Sequence, residues 1–487
     1  MCRSTKIAWL CLTASTLVGI VLFSVFIDKI KRTVVRWNVS NPSTERAQVG
    51  ALRTSEPEYA FLYRQNVSRL LRRNLFGDRP VFQLDNGWIH NRQELETAFV
   101  SADFVPAAIK ATKNLDEQLS KLGCSLLVVP VPSRWELHHE GISDDQIFNE
   151  LPCEESPSPI RRWYIDKIES EGVEVVDIYF LLRRLKQSGN DTYYKTDSHL
   201  TPFANKHIAE LLASRIRSLV PELPESPQTE GVEGEIEITG DLLELLLPDR
   251  KRVDLPTTTV SARIYPEVKP DRRSPVLLLG DSFAFDDLAI YLGGENKRCG
   301  LPLLLADSLR HSIDWVAVAG GATIEGPRRL AKRLSSGSEP KVVIWMFSGS
   351  MFTYGDTYFP IVNLEAEQST SVKSTAQNIE NFVGRVVATD APTLERVRSH
   401  IYPDLLATTI VEAQDQSPNR GEIELLVYVR RSGIVMLGNL PSPGETVSGK
   451  ILEWDYATNK IEGLESIGIV GSSDRFDLPR YLLVDVE

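Results

Sequence analysis

Val276-Leu277-Leu278-Leu279-Gly280-Asp281-Ser282-Phe283-Ala284 is an apolar run that breaks abruptly into a Gly-Asp-Ser turn. The run has no polar alternation, so a strand made from it must be buried on both faces. That is the pattern of a parallel sheet covered by helices on each side. Runs of the same kind recur at Ser125–Val131, Val173–Ile178, Trp315–Ala319 and Val342–Phe347. Helical patterns lie between them, at Ala107–Leu122, at Thr201–Val220 and in an amphipathic segment that ends near Gly189, while Pro221–Gly234, rich in Pro and Glu, reads as a surface loop. The alternation predicts an α/β fold of three layers around a mostly parallel sheet.

The Gly-Asp-Ser turn also carries chemistry. A serine hydroxyl is a weak nucleophile unless a base adjoins it. At the end of a buried strand, Gly280 is expected to permit a sharp turn, with the Ser282 hydroxyl pointing out of the sheet edge and its N–H placed to bind an oxyanion. Sites of open α/β sheets lie at such strand ends. The matching base stands in Tyr193-Tyr194-Lys195-Thr196-Asp197-Ser198-His199-Leu200-Thr201-Pro202. Asp197 precedes His199 by two positions, so an extended segment presents both side chains on one side. The carboxylate then holds one ring nitrogen and leaves the other for Ser282. Thr201 and Pro202 read as the N-cap and first turn of the next helix. Either motif alone has bland readings, since Gly-Asp-Ser is common and Asp-x-His also caps helices or forms half of a metal site. No further His, Cys or Asp cluster has metal spacing, so neither metal nor cofactor is expected.

Composition sets outer bounds. The 487 residues predict two or three folded units. With 42% apolar and 25% charged residues the chain is neither disordered, collagen-like nor a multi-span membrane protein. Its 54 basic and 66 acidic residues give a net charge of −12, and there is no basic stripe, which argues against nucleic acid as the main partner. Of five cysteines, Cys2 and Cys11 lie in or beside an N-terminal apolar run. Cys124, Cys153 and Cys299 leave room for one disulfide or for three buried thiols.

That N-terminal run, Ile7 to Ile27, is 21 uncharged residues. At 1.5 Å per residue it spans about 31 Å, the thickness of a bilayer's hydrocarbon core. It is longer than a signal-peptide core and has no small-residue cleavage site, so it reads as an uncleaved single-span anchor. Arg3 and Lys6 precede it, while Lys29, Lys31, Arg32 and Arg36 follow. The charge bias taken alone leans toward a cytoplasmic C-terminal side, but it is small. The expected organisation is an anchor at 1–36, a tether at 37–56, a catalytic domain at 57–362, a linker at 363–377 and a C-terminal β-rich module at 378–487. In the module, Thr393–Glu412 reads as helix, and Glu422–Arg431, Gly433–Leu437, Val447–Tyr456, Ile467–Val470 and Tyr481–Val486 read as strands.

The two motifs, in this order, resemble the SGNH-hydrolase-like alginate O-acetyltransferase family of the AlgJ/AlgX type. The resemblance covers roughly Asp85 to Thr357. It rests also on Asp85-Asn86-Gly87-Trp88-Ile89, on Val128-Val129-Pro130-Val131-Pro132-Ser133-Arg134, on Gly240-Asp241-Leu242, on Gly320-Gly321-Ala322 and on Val342-Val343-Ile344-Trp345. It implies Ser282 as nucleophile, His199 as base and Asp197 as its orienter. Oxyanion donors would be the backbone N–H groups of Ser282, Gly320 and Gly321, and Arg134, Lys195 and Tyr194 are the expected substrate contacts. The implied partners are a polysaccharide acceptor and a membrane-bound O-acyltransferase that supplies acetyl groups. The implied place is the inner membrane, single-pass, with the catalytic domain in the periplasm. Two alternatives stay open at this point: an acetylesterase using the same triad, and a non-catalytic glycan-binding or scaffold component of an export complex.

Overall fold

The computed structural model describes residues 81–138 with breaks at 85, 92–93 and 95–104; 158–226; 230–247; 255–285 except 267; 297–318; 321–354, 359 and 361–364; and, beyond these, 380–389, 405–413, 422–431, 434–435, 440–453, 468–470 and 480–486. All fall within the unit Tyr59–Glu487. The apolar span Ile7–Ile27, the tether at 37–56 and the linker at 363–377, but for 363 and 364, lie outside the described residues. Among the described residues no helix is long and apolar enough to cross a membrane.

In chain order, β1 (Val81–Gln83) and β2 (Ile89–Asn91) form an antiparallel pair. They are followed by α1 (Val105–Lys121), β3 (Ser125–Val131), α2 (Arg134–Leu137), α3 (Pro159–Ser170), β4 (Glu174–Val175), α4 (Tyr179–Gln187) and α5 (Pro202–Leu219). Then come β5 (Val232–Ile238), α6 (Asp241–Leu246), β6 (Thr258–Ile264), β7 (Val276–Gly280), α7 (Leu301–Leu309), β8 (Asp314–Ala317), α8 (Glu325–Ser335) and β9 (Val342–Ser348). Five strands make a sheet in the order β4-β3-β9-β7-β8, and every pairing in it is parallel.

The register explains the continuous apolar runs. Val128, Trp345, Leu279 and Val316 stand in one row across the sheet and share a core with Leu115 of α1, Ile165 of α3 and Leu330 of α8. The adjacent residues Leu127, Ile344 and Leu278 face the other way, onto Ile208 and Leu212 of α5 and Leu305 of α7. Successive side chains of a strand point to opposite faces. A strand covered on both sides must therefore be apolar throughout, and each buried Leu or Val contributes about 1.5–3 kcal/mol. This is the expected α/β/α architecture.

Two local expectations change. Val173–Ile178 yields only the short edge strand β4, because Asp177 leaves the sheet to cap α4, accepting the Tyr179 N–H at 3.0 Å. The segment 232–234, read as surface loop, begins β5, which pairs with β6 as an antiparallel ribbon. Of the thiols, Cys124 and Cys299 are buried, while Cys153 lies outside the described residues.

Beyond residue 379 the described chain is strand apart from a turn at 440–445: β10 (Glu380–Thr389), β11 (Leu405–Ala413), β12 (Glu422–Arg431), β13 (Ile434–Val435), β14 (Thr446–Glu453), β15 (Gly468–Val470) and β16 (Arg480–Val486). Their order is β13-β12-β16-β14-β10-β11-β15, and a further β11–β12 pairing closes five of the strands into a ring around Val386, Val411, Leu425, Val427 and Leu483. The helix expected over Thr393–Glu412 is corrected over its described part, since 405–413 is a strand paired on both sides, and 393–404 lie outside the described residues. Thr408, Thr409, Ile410 and Val411 are β-branched, and pairing to two neighbours decides the state of such a segment.

Candidate active site

The C-terminal end of β7 delivers the serine turn, and the loop between α4 and α5 delivers the Asp-x-His segment. β7 ends at Gly280, and a 3₁₀ turn over Ser282–Ala284 follows at once. Gly280 has no left-handed backbone; it is required by space. A Cβ there would lie 2.5 Å from the Ala284 Cβ and 3.0 Å from the Met346 carbonyl. Asp281 secures the turn. Its Oδ1 accepts the Phe283 N–H at 3.1 Å and its Oδ2 accepts the Ser348 N–H at 2.7 Å, which ties the serine turn to the end of β9. Burial raises the Asp281 pKa to about 6, against the lowering pull of those two N–H groups. Ser282 itself is buried.

The Asp-x-His segment forms the tip of a closed loop. Tyr193 bridges Leu200, and the Thr201 N–H donates to the Thr192 carbonyl at 3.0 Å. Thr201 caps α5 as expected, accepting the Ala204 N–H, with Pro202 in the first turn. At the tip, Asp197 Oδ1 accepts both the His199 N–H at 2.8 Å and the His199 ring Nδ1–H at 2.7 Å. The pair meets through this turn rather than through the same-side presentation of an extended strand. The His199 ring packs against the Phe283 ring, with centroids 5.4 Å apart, so the loop tip lies over the serine turn. Burial opposes a charged imidazole, but the Asp197 carboxylate outweighs it and the His199 pKa is raised to about 9. Asp197 is correspondingly lowered, its own burial being overcome by His199.

The motifs did not single out Asp241 as part of this cluster. Its backbone N–H donates to Asp197 Oδ2 at 2.8 Å. Its carboxylate accepts the Ser198 N–H at 2.8 Å and the Ser198 hydroxyl at 2.5 Å. Asp197, His199 and Asp241 together offer metal-ligating atoms within 4.8 Å of one another. Their four carboxylate oxygens already accept protein N–H and O–H groups, which accounts for the compactness. The only sequence signal for Asp241 was its place in Gly240-Asp241-Leu242. Gly240 has φ +89°, and a Cβ there would lie 2.3 Å from the Thr196 carbonyl. Gly240→Ala is therefore expected to cost about 3 kcal/mol from strain and overpacking together. A denaturation midpoint within error of the parent would contradict that close approach.

Arg134, Tyr194 and Lys195, expected to meet substrate, take different places. Arg134 is buried and donates through Nη1 to the carbonyls of Tyr194 at 3.1 Å and Asp197 at 2.7 Å. Its guanidinium lies 5.8 Å from the centre of the Trp88 ring, which stacks on His138 at 3.8 Å. In this position Arg134 braces the Asp197 loop from inside. Tyr194 is also buried, and Lys195 is exposed, with its carbonyl accepting the Ile89 N–H. Of the oxyanion candidates besides Ser282, Gly321 directs its N–H inward to the Val318 carbonyl at 2.9 Å, in a tight turn after β8. Gly320 lies outside the described residues.

Parallel strands between two helical layers, with a serine turn ending a central strand and an Asp-x-His loop above it, define an SGNH-hydrolase-like α/β domain. The chain belongs to the family described as "SGNH hydrolase-like domain, acetyltransferase AlgX", whose model matches residues 81–349, more than half of its length. It is 22% identical over 301 residues to the probable alginate O-acetylase AlgJ of Azotobacter vinelandii, spanning 58% of this chain and 72% of that protein. Among solved structures it is similar to the O-acetyltransferase domain of Pseudomonas putida AlgJ, at TM-score 0.45 and 15% identity over 60% of this chain and 99% of that one. It is also similar to Pseudomonas aeruginosa AlgX, at TM-score 0.44 and 16% identity over 74% of this chain and 84% of that one.

Proposed function

We propose that this acetyltransferase-family chain moves an acetyl group through an acyl-enzyme on Ser282 to hydroxyls of a polysaccharide. The observation that carries the reading is the buried Asp197–His199 hydrogen bond of 2.7 Å on a loop tip packed against Phe283, the residue after Ser282. With Nδ1–H donated to Asp197, the Nε2 of His199 is the base. It takes the Ser282 hydroxyl proton as Oγ bonds to the acetyl carbonyl carbon, and passes that proton to the departing group of the donor. It then takes the proton of a sugar hydroxyl, whose oxygen displaces Ser282 Oγ, and returns a proton to Oγ. The backbone N–H of Ser282 is assigned to the oxyanion.

The similarity to a probable alginate O-acetylase of Azotobacter vinelandii supports a polysaccharide acceptor. We further assign Ile7–Ile27 as a membrane anchor that holds the domain on the periplasmic face of the inner membrane, next to a membrane-bound O-acyltransferase that supplies the acetyl group.

The test is mass spectrometry of the full-length protein after brief exposure to an acetyl ester, followed by addition of an oligosaccharide. One acetyl group on Ser282, absent in Ser282→Ala and transferred to the sugar on addition, is the expected result. Acetyl released only to water supports an esterase, and an adduct that survives Ser282→Ala overturns the assignment.

The pH dependence has a definite sign. Below its folded pKa His199 carries protons on both nitrogens and accepts none from Ser282. The rate of Ser282 acetylation is therefore expected to rise tenfold per pH unit and to level off near pH 9, the raised pKa of His199. A flat profile between pH 6 and about 9 would remove His199 as the base.

A further inference from the structure

We propose that Asp241 is a positioning residue for the Asp197–His199 pair, a second carboxylate that locks the loop tip and sets the proton affinity of the imidazole. The inference rests on the proposed role of His199 as base.

Asp241 closes the side-chain bonding of the Asp197–His199 segment, while Arg134 holds its carbonyls. Asp197 supplies both acceptors to its neighbours, Oδ1 to His199 and Oδ2 to the Asp241 N–H. Ser198, between them, has both its donors, N–H and O–H, taken by the Asp241 carboxylate. An ionised carboxylate is the side chain that accepts two such donors at once without offering one of its own, and charge-assisted bonds of this kind are the strong ones. The ring of bonds holds the tripeptide in one geometry across a chain separation of 44 residues.

Asp241 also faces the imidazole. Its Oδ2 lies 3.7 Å from His199 Nδ1, on the side where Asp197 is 2.7 Å away. Burial and the Asp197 charge raise the Asp241 pKa to about 7, so Asp241 is ionised in the range where His199 titrates. Among the described residues, the charged groups facing this cluster are Asp197, His199, Asp281 from the serine turn, Arg134 from α2 and Glu94, which interacts with both Arg134 and His199. Gly240 and the α6 residues Leu242 and Leu243, which pack on Val81 and Ile89, fix Asp241 from behind.

The decisive variant is Asp241→Asn, which keeps the size and removes the charge. Ser282 acetylation by 4-nitrophenyl acetate is followed against pH in the full-length protein. The alkaline plateau is expected to fall about tenfold with KM changed less than twofold, and the rising limb to move about one unit lower, because an anion that favoured protonated His199 is gone. A part that merely stiffens the loop would lower the melting temperature and leave the limb in place. The wild-type protein gives a check that needs no variant. The ¹⁵N shifts of the His199 ring, assigned through His199→Gln, are expected to follow two steps, one of its own and one from a coupled carboxylate. Asp281 and Glu94 are the competing carboxylates, so a second step that survives Asp241→Asn counts against the proposal. A plateau and limb matching wild type within twofold, with Ser282→Ala inactive, overturn the role of Asp241 and leave the acyl-enzyme intact. If Ser282→Ala keeps wild-type acetylation, the acyl-enzyme reading fails and this inference with it.

Discussion

Ser282→Ala and His199→Ala are each expected to lower kcat for acetyl transfer by about 10⁴-fold, and the double variant by no more than either alone. The reasoning starts from the serine. Without a base its hydroxyl holds its proton and is a poor nucleophile, and without the hydroxyl the base has no proton to move. In the proposed mechanism the two residues act as one unit, and removing the second part costs little once the first is gone. Asp197→Asn belongs to the same unit. It keeps the loop packing but turns an acceptor toward Nδ1–H into a group that can also donate, so the ring is free to present the wrong tautomer. Residual activity in all of these variants is expected from backbone contacts to the oxyanion and from binding alone. Rates of acetyl transfer to an oligosaccharide, single against double variant, decide the matter. Additive losses would mean that His199 and Ser282 work in separate steps.

The largest effect on stability is expected from Arg161→Met, at about 3–5 kcal/mol. Arg161 and Glu136 are each 1% exposed and meet at 3.1 Å, while a second arm of Arg161 reaches Asp177 at 2.7 Å. Glu136 also accepts the Ser133 N–H at 2.7 Å, closing the start of α2. Burial raises the Glu136 pKa even with Arg161 beside it. Taking the guanidinium away leaves the buried Glu136 carboxylate without the Arg161 charge beside it, which is the costly way to break such a pair. Replacing both partners by apolar residues is expected to recover much of the loss. The effect reaches the site because α2 carries Arg134, whose guanidinium holds the carbonyls of Tyr194 and Asp197. Chemical denaturation measures the stability change. A loss below about 1 kcal/mol would mean the pair is solvated.

Much of the catalytic domain was legible because burial on both faces leaves a simple trace. Ser125–Val131 and Val342–Ser348 stand nearly where their apolar runs predicted. The cap at Thr201 was equally plain, since its chemistry is local. The C-terminal segment 405–413 was misread because a β-branched run paired on two sides has no period of its own that separates it from a helix. Within the site, Asp197 and His199 could be paired from two-residue spacing. The bond that joins them nonetheless comes from a turn closed on the Asp197 carboxylate, not from strand geometry. Arg134 illustrates the opposite case. A basic residue after a strand end invites a substrate role, and only its burial beneath Trp88 and its bonds to two carbonyls reveal a brace.

The sequence by itself determined the three-layer α/β sheet, the family, and the three residues on which acyl transfer is proposed to run. Each of these rests on features that act within a few positions, such as apolar continuity, a turn after a strand and an Asp-x-His step. The tertiary structure alone decided that Asp241 joins Asp197 and Ser198, that Arg134 is internal, that the Gly321 N–H is spent on Val318, and that strands β11 and β12 close a ring. Those contacts link residues far apart in the chain. Their free energy depends on burial and on which donors remain unmatched once the layers have packed, and no local pattern records that.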